Sequence, residues 1–375
     1  MKARLVLGIM SGTSIDGVDY AVCLVSHERV SLKRHWQVKF PARLRARLHR
    51  AASDQSSGYE LAQLHHDLGR FYAEQAGQGL KNLKPRLAGL HGQTVYHHPH
   101  SERPATLQLG EPAYLAETLR IPVVHNFRAA DLAAGGHGAP LATLFHKVVF
   151  GRTGLHVCVN NLGGISNVTS IDWTRGRHPA MLAFDTGPAN MLLDMAIRHL
   201  TKDKRSHDRN GSWAASGTIS EPLLARWLTH EYFQRPPPKS TGRELFGEPF
   251  FQRVLRDVRK VGLSGQDLLA TLTELSARSL VLNYQLHLGA IPDQVVLAGG
   301  GAANPTLVNR IEKNLRAWND NLEVLTSEAL GWPVQSIEAA AFALLACYRW
   351  ERRPGNIPQT TGAHRAALLG CIAEP

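Results

Sequence analysis

Gly8-Ile9-Met10-Ser11-Gly12-Thr13-Ser14-Ile15-Asp16-Gly17-Val18-Asp19-Tyr20 lies close to the N-terminus, between two apolar runs. Leu5 to Ile9 reads as a buried strand, while Val18, Tyr20, Val22 and Leu24 alternate along a second. Ser11 to Gly17 is then the tip of a hairpin, and it is crowded with groups that suit a phosphate. Gly12 and Gly17 leave backbone N–H groups uncovered, Ser11, Thr13 and Ser14 add hydroxyl donors, and Asp16 and Asp19 are available to a hydrated Mg²⁺. A solvated polar turn is the plainer alternative.

A similar layout recurs downstream. His156 to Asn161 forms a strand, Gly163-Gly164 turns, and Ile165 to Ile171 resumes, which suggests two domains of similar plan. A third glycine turn, Gly299-Gly300-Gly301, follows the strand Gln294 to Leu297 and precedes a helix with Asn304 as N-cap and Pro305 at its first position. It lacks the third glycine of GxGxxG, no GxxxxGK[ST] occurs, and no GxSxG elbow accompanies the histidines. Residues 35–80 read as helical from the spacing of Leu44, Leu48, Leu61, Leu64, Leu68 and Phe71. Gln234 to Glu244, with three consecutive prolines, reads as a stiff connector. The last long helix runs from about Ser336 to Arg349, with Glu338 near its start.

Asp185 is the foremost catalytic candidate. It follows the apolar run Met181 to Phe184 and precedes a helix carrying Met191, Leu192 and Met195. It reads either as a helix-entry cap or as a general base whose ionised form the helix N-terminus supports.

The chain of 375 residues suits two domains, and 43% hydrophobic with 19% charged residues is a globular composition. The net charge of +11 is scattered, and short basic groups such as Arg43 to Arg50 lack interleaved aromatics, which argues against nucleic acid. Four cysteines, Cys23, Cys158, Cys347 and Cys371, are too far apart for a zinc pattern and read as reduced thiols. The clusters His65-His66 and His97-His98-Pro99-His100 lack zincin spacing. Met1-Lys2-Ala3-Arg4 leads into a strand without a signal-peptide core, and no apolar run reaches the roughly 18 residues of a membrane span. A cytoplasmic protein without membrane partners is expected.

Taken in order, further segments carry a family resemblance: His91-Gly92-Gln93-Thr94, Gln108 to Pro112, Gly135 to Leu141, Asn161 to Asn167, Phe184-Asp185-Thr186-Gly187-Pro188, Pro238 to Glu244, Ala270 to Thr273, and Thr361-Gly362-Ala363. With the opening hairpin they resemble the anhydro-N-acetylmuramic acid kinase family over nearly the whole chain. The resemblance implies an α/β, two-domain actin-like ATPase fold, like hexokinase and the heat-shock chaperone ATPases, with a central interdomain cleft. The expected domains are 1–150 plus 336–375, and 151–335. It further implies ATP, Mg²⁺ and water as reactants or cofactors, hydrolytic opening of the 1,6-anhydro ring, phosphorylation at O6, and a homodimer.

By the same resemblance, Ser11, Gly12, Thr13, Ser14, Ile15, Asp16, Gly17, Val18 and Asp19 bind ATP, with Asp16 reaching Mg²⁺ through water. Gly163, Gly164, Gly299, Gly300 and Gly301 complete the nucleotide turns. Asp185 is the base, and His91, Gln93, Arg128 and Glu338 contact the sugar, Arg128 at its lactyl carboxylate. Two positions depart from the family pattern: Asn126-Phe127-Arg128 replaces Asp-Phe-Arg, and Gly135-Gly136-His137-Gly138 replaces Gly-Gly-Gln-Gly. The alternatives are another sugar or acid kinase of the superfamily, or a non-catalytic actin-like binding protein.

Overall fold

A computed structural model describes residues 3–26 and 29–375; Met1 and Lys2, the start of the expected lead into the first strand, lie outside the described residues. The chain divides into two compact units, Met1–Val149 with Gln335–Pro375, and Phe150–Val334.

In the first unit, β1 (Arg4–Ser11), β2 (Gly17–Val25) and β3 (Val30–Lys39) form an antiparallel meander. Alongside β1 run β4 (Leu87–His98), paired with β5 (Ala105–Leu109), and then β6 (Val123–His125). β4 is parallel to β1, with Gly8 opposite Gly89, and β6 is parallel to β4. The second unit repeats this plan. β7 (His156–Leu162), β8 (Ile165–Asp172) and β9 (Ala180–Pro188) form a meander, and β10 (Gln294–Ala298) and β11 (Glu323–Thr326) add in parallel beside β7. The C-terminal β12 (Cys371–Ala373) closes the first sheet against β6. The order β3-β2-β1-β4-β6 in the first sheet thus matches β9-β8-β7-β10-β11 in the second. This doubled α/β plan is that of the two-domain actin-like class.

The helix expected over 35–80 is corrected by the structure. Residues 35–39 end β3, where exposure alternates at the two-residue period of a strand and Trp36 stacks on Tyr20 with ring centroids 4.9 Å apart. Helices follow only at Ala42–Ala52 and Gly58–Leu80, the second opened by a Ser57–Glu60 capping box. Asn304 does cap the helix Pro305–Trp318, its side chain accepting from the N–H groups of Thr306 and Leu307. Cys23, Cys158 and Cys347 are buried free thiols and Cys371 is exposed. Among the described residues, no helix is long and apolar enough to cross a membrane.

The first sheet is covered by the alanine-rich helix Ile337–Trp350, which comes down directly on backbone. A Cβ on Gly8 would overlap the Ala339 carbonyl oxygen, and one on Gly89 would overlap that of Phe342. Neither neighbour is a side chain that can swing away, so relief requires moving a helix. Gly8→Ala is expected to lower stability by about 3 kcal/mol, whereas Gly77→Ala, at an exposed helical site with open space around it, raises stability by up to about 1 kcal/mol. Thermal melting of the two variants checks this.

Candidate active site

In the first unit the candidate residues gather around the β1–β2 hairpin. Its tip is closed by the Ile15 N–H donating to the Gly12 carbonyl at 3.2 Å, with Ile15 at a positive φ of 57°. That conformation is costly for a β-branched residue and is held because the Ile15 side chain is buried in the core. Ile15 and Val18 are therefore core residues that offer a ligand only backbone. The Ser11 hydroxyl is also withdrawn: it is buried and shares a 2.9 Å hydrogen bond with the Tyr72 hydroxyl. Gly17 is packed against the Val38 carbonyl of β3. This leaves Gly12, Thr13, Ser14 and Asp16 at the accessible tip. The Asp16 side chain is 69% exposed and meets Arg45 at 3.8 Å.

Gln93, buried on β4, donates to the Gly12 carbonyl at 3.0 Å and so braces this tip. His91, two residues earlier, is buried as well. Its Nδ1 pairs with the Gly92 carbonyl at 2.7 Å, and its Nε2 accepts from Arg128 Nε at 3.0 Å. The ring is thus a neutral Nδ1–H tautomer, and burial with the nearby Arg128 charge holds its pKa well below the ordinary value. Sequence reasoning placed His91 and Gln93 against the sugar. Here His91 has both nitrogens committed to protein and orients Arg128, while Gln93 braces the tip.

Arg128 Nη1 donates to the Gly138 carbonyl at 2.7 Å. Burial lowers its pKa to about 10, against an opposing pull from Glu338, so it stays charged at neutral pH. Glu338 has an accessible side chain, yet the surrounding protein raises its carboxyl pKa while Arg128 draws it down. Asp19, on β2, is pushed to about 7 by burial and then by the Glu338 charge, with a hydrogen bond from Gln37 opposing. Its Oδ1 is buried without a partner. This coupled carboxylate pair is not visible in sequence, because its members lie far apart along the chain.

A separate group of candidate residues lies in the other unit. The Gly163-Gly164 turn is tied to the start of the helix Asn190–Thr201: Asn190 Nδ2 donates to the carbonyls of Leu162 and Gly163 at 3.0 and 2.9 Å. The Gly299 to Gly301 turn packs on the same strand end. Gly299 sits at φ 80°, and a Cβ there would overlap Asn161 and Leu162, while Gly300 faces open space. Two of the three glycine turns predicted from sequence are therefore brought together.

Asp185 lies within β9, so the helix-entry reading is corrected: the helix begins at Asn190 and its N-cap position is Ala189. The connector reading of 234–244 is corrected too. The Asp185 N–H donates to the Lys239 carbonyl at 3.2 Å, the Tyr232 hydroxyl donates to the Asp185 carbonyl at 2.8 Å, and the Thr241 N–H donates to Asp185 Oδ2 at 2.8 Å. Oδ1 has no protein partner among the described residues. Burial raises the carboxyl pKa to about 6; the Thr241 hydrogen bond and Lys239 lower it, while Glu244 raises it. The helix N-terminus is not the source of its tuning. A carboxylate with one oxygen fixed and one open, ionised at neutral pH, is equipped to accept a proton.

A sequence profile described as "Anhydro-N-acetylmuramic acid kinase" matches residues 4–375. The chain belongs to the anhydro-N-acetylmuramic acid kinase family. A relative of that name from Trichormus variabilis (strain ATCC 29413 / PCC 7937) is 41% identical over 383 residues, covering 98% of this chain and 97% of its own. Those from Cyanothece sp. (strain PCC 7425 / ATCC 29141) and Crocosphaera subtropica (strain ATCC 51142 / BH68) are 40% and 39% identical. The first covers 97% of this chain and 98% of its own, the second 98% of each. The chain is accordingly a kinase of this family.

Removing the like charge beside Asp19 should make its ionisation easier. Glu338→Gln is expected to shift the Asp19 titration midpoint downward from about 7, read by carboxyl ¹³C NMR. An unmoved midpoint would show that the Glu338 charge does not contribute to it.

Proposed function

We propose that the chain uses ATP and water to convert 1,6-anhydro-N-acetylmuramic acid into N-acetylmuramic acid 6-phosphate and ADP, with Asp185 as general base. The observation that carries this reading is the environment of Asp185: Oδ2 fixed by the Thr241 N–H, Oδ1 open, and a pKa near 6. The anhydro sugar has no free 6-hydroxyl, so O6 must be released as it is phosphorylated. Water attacks the anomeric carbon and gives its proton to Asp185. The C1–O6 bond breaks, and O6 takes the γ-phosphoryl group from ATP, releasing ADP.

Other residues bind and orient in this reading. The accessible tip Gly12, Thr13, Ser14 and Asp16 grips the terminal phosphates through N–H and hydroxyl donors. Gly163-Gly164 and Gly299 to Gly301 take the remaining phosphates and the nucleoside side. Arg128, braced by His91 and Gly138, has an Nη2 with no protein partner among the described residues and receives the lactyl carboxylate. Glu338 accepts from a sugar hydroxyl. The exposed Asp16 carboxylate and the unpartnered Asp19 Oδ1 suit Mg²⁺, Asp16 acting through the ion's water shell. When bound, the ion neutralises charge on the transferring phosphate. A cytoplasmic homodimer, with domains 1–150 plus 336–375 and 151–335, belongs to the same proposal.

ADP release is expected with purified anhydro-N-acetylmuramic acid, the product carrying phosphate at O6 and a newly opened anomeric centre. Turnover of glucose or N-acetylglucosamine with none of the anhydro sugar would overturn the assignment. Asp185→Asn should lower kcat at least ~10³-fold while ATP binding, measured by calorimetry, is retained.

A further inference from the structure

Residues 232–241 form a strap around Asp185, and one half-buried ammonium holds the strap together. Lys239 Nζ donates to Asn283 Oδ1 at 2.5 Å and to the carbonyls of Tyr232 and Phe233 at 3.2 and 3.4 Å. It also stands 3.3 Å from His287 Nε2. The rings of Tyr232 and Phe184 face the ammonium, their centroids 4.9 and 5.7 Å away. Four polar partners from two sequence regions thus converge on a side chain that makes no direct ion pair with Asp185. Asn283 is itself fixed, its Nδ2 donating to the Thr186 carbonyl at 2.9 Å and to the Ser279 carbonyl at 2.8 Å.

We propose that Lys239 is a positioning residue for Asp185, clamping the strap so that the Lys239 carbonyl fixes the Asp185 backbone and the Thr241 N–H fixes its carboxylate. This inference rests on the reading of Asp185 as the base. The clamp acts at both ends of the strap. At one end, Lys239 Nζ ties the backbone of Tyr232 and Phe233, and the Tyr232 hydroxyl reaches the Asp185 carbonyl. At the other end, Thr241 is only two residues from the anchored Lys239 and places its N–H on Oδ2. Without the ammonium, the carbonyls of Tyr232 and Phe233 and Asn283 Oδ1 lose a shared charged donor, and the strap loses its registration on β9.

The ammonium contributes through charge as well as geometry. Burial lowers the Lys239 pKa to about 8, offset by attraction to Asp185 and helped downward by Arg235. At neutral pH it remains mainly charged and favours the ionised Asp185. The other charged or titratable groups acting here are Glu244 and Tyr232 towards Asp185, Arg235 towards Lys239, and His287, whose pKa burial and Lys239 both lower. Loss of the Lys239 charge makes Asp185 harder to ionise, so the rising acid limb of kcat against pH moves to higher pH.

The test compares Lys239→Met, close in length and uncharged, with wild type and Asp185→Asn. The expected result for Lys239→Met is a kcat reduced ~10–100-fold, an acid limb displaced upward, and an unchanged Kd for ATP. Wild-type kcat with an unmoved limb, in a series where Asp185→Asn is inactive, overturns the clamp and leaves the base in place. A lowered kcat with an unmoved limb also overturns it, since that marks a merely structural role. Full activity in Asp185→Asn instead overturns the reading of the base on which the clamp depends. If Lys239→Met shows no cooperative melting transition, Lys239→Gln is measured against the same criteria.

Discussion

Two missing side chains set the geometry of the candidate residues in the first unit. At Gly8 and Gly89 the sheet presents bare backbone, and the helix Ile337–Trp350 rests on it with no Cβ between. Alanines at 339, 340, 341, 343 and 346 keep the helix thin enough for that approach. Its depth determines where its first turn, and hence Glu338, stands relative to Asp19 and Arg128. The same strand that supplies Gly89 also supplies His91 and Gln93, one bracing the guanidinium and the other the hairpin tip. Close packing and site geometry are therefore one constraint: a displacement of the helix moves a charge as well as a core contact.

The second unit fixes its carboxylate by different means. The long helix Gly265–His287 ties down the end of β9 with polar side chains. Ser276 Oγ donates to the Ala189 carbonyl at 3.2 Å, and Asn283 reaches Thr186. Gly187, at φ 141°, passes so close to the Phe233 ring that a Cβ would lie 2.7 Å from it. The consequence for acid–base behaviour is a graded pair. Burial is the first cause of the upward shift in both Asp19 and Asp185, but Asp19 has Glu338 against it, whereas Asp185 receives the Thr241 N–H and Lys239's charge. Asp19 is raised further than Asp185, a difference produced by surroundings rather than residue type.

Local rules made much of the fold legible. The strand–turn–strand hairpins, the Asn304-Pro305 helix start and the strand before Gly299 all express short-range chemistry: alternation, capping and glycine turns. What could not be read depends on partners distant in sequence. Ser11 resembles any exposed turn hydroxyl until Tyr72, 61 positions away, closes on it. The proline-rich stretch resembles a linker until its Thr241 N–H meets a carboxylate 56 positions earlier. His91 offers two nitrogens by sequence and none in the fold, because Arg128 and the Gly92 carbonyl take both. The helical pattern of Leu44 to Phe71 concealed the preceding strand, whose partner for Trp36 is Tyr20 on another strand.

The two departures from the family pattern acquire a physical meaning from the backbone around Arg128. Asn126 occupies the left-handed region at φ 54° and makes no side-chain cap bond. Asparagine and aspartate share tolerance of that conformation, so the exchange preserves the approach of Phe127-Arg128 while removing a charge. His137 is held through its main chain, its N–H donating to the Thr361 carbonyl at 2.8 Å. Beside it, buried Asp131 accepts from the Gly138 N–H and Asn356 Nδ2 at 2.7 Å and from the Thr361 hydroxyl at 2.8 Å. That network fixes the Gly138 carbonyl, which receives Arg128 Nη1, without using either altered side chain. Substitution at 126 and 137 can therefore change the local charge and shape that meet a substrate while the guanidinium keeps its setting.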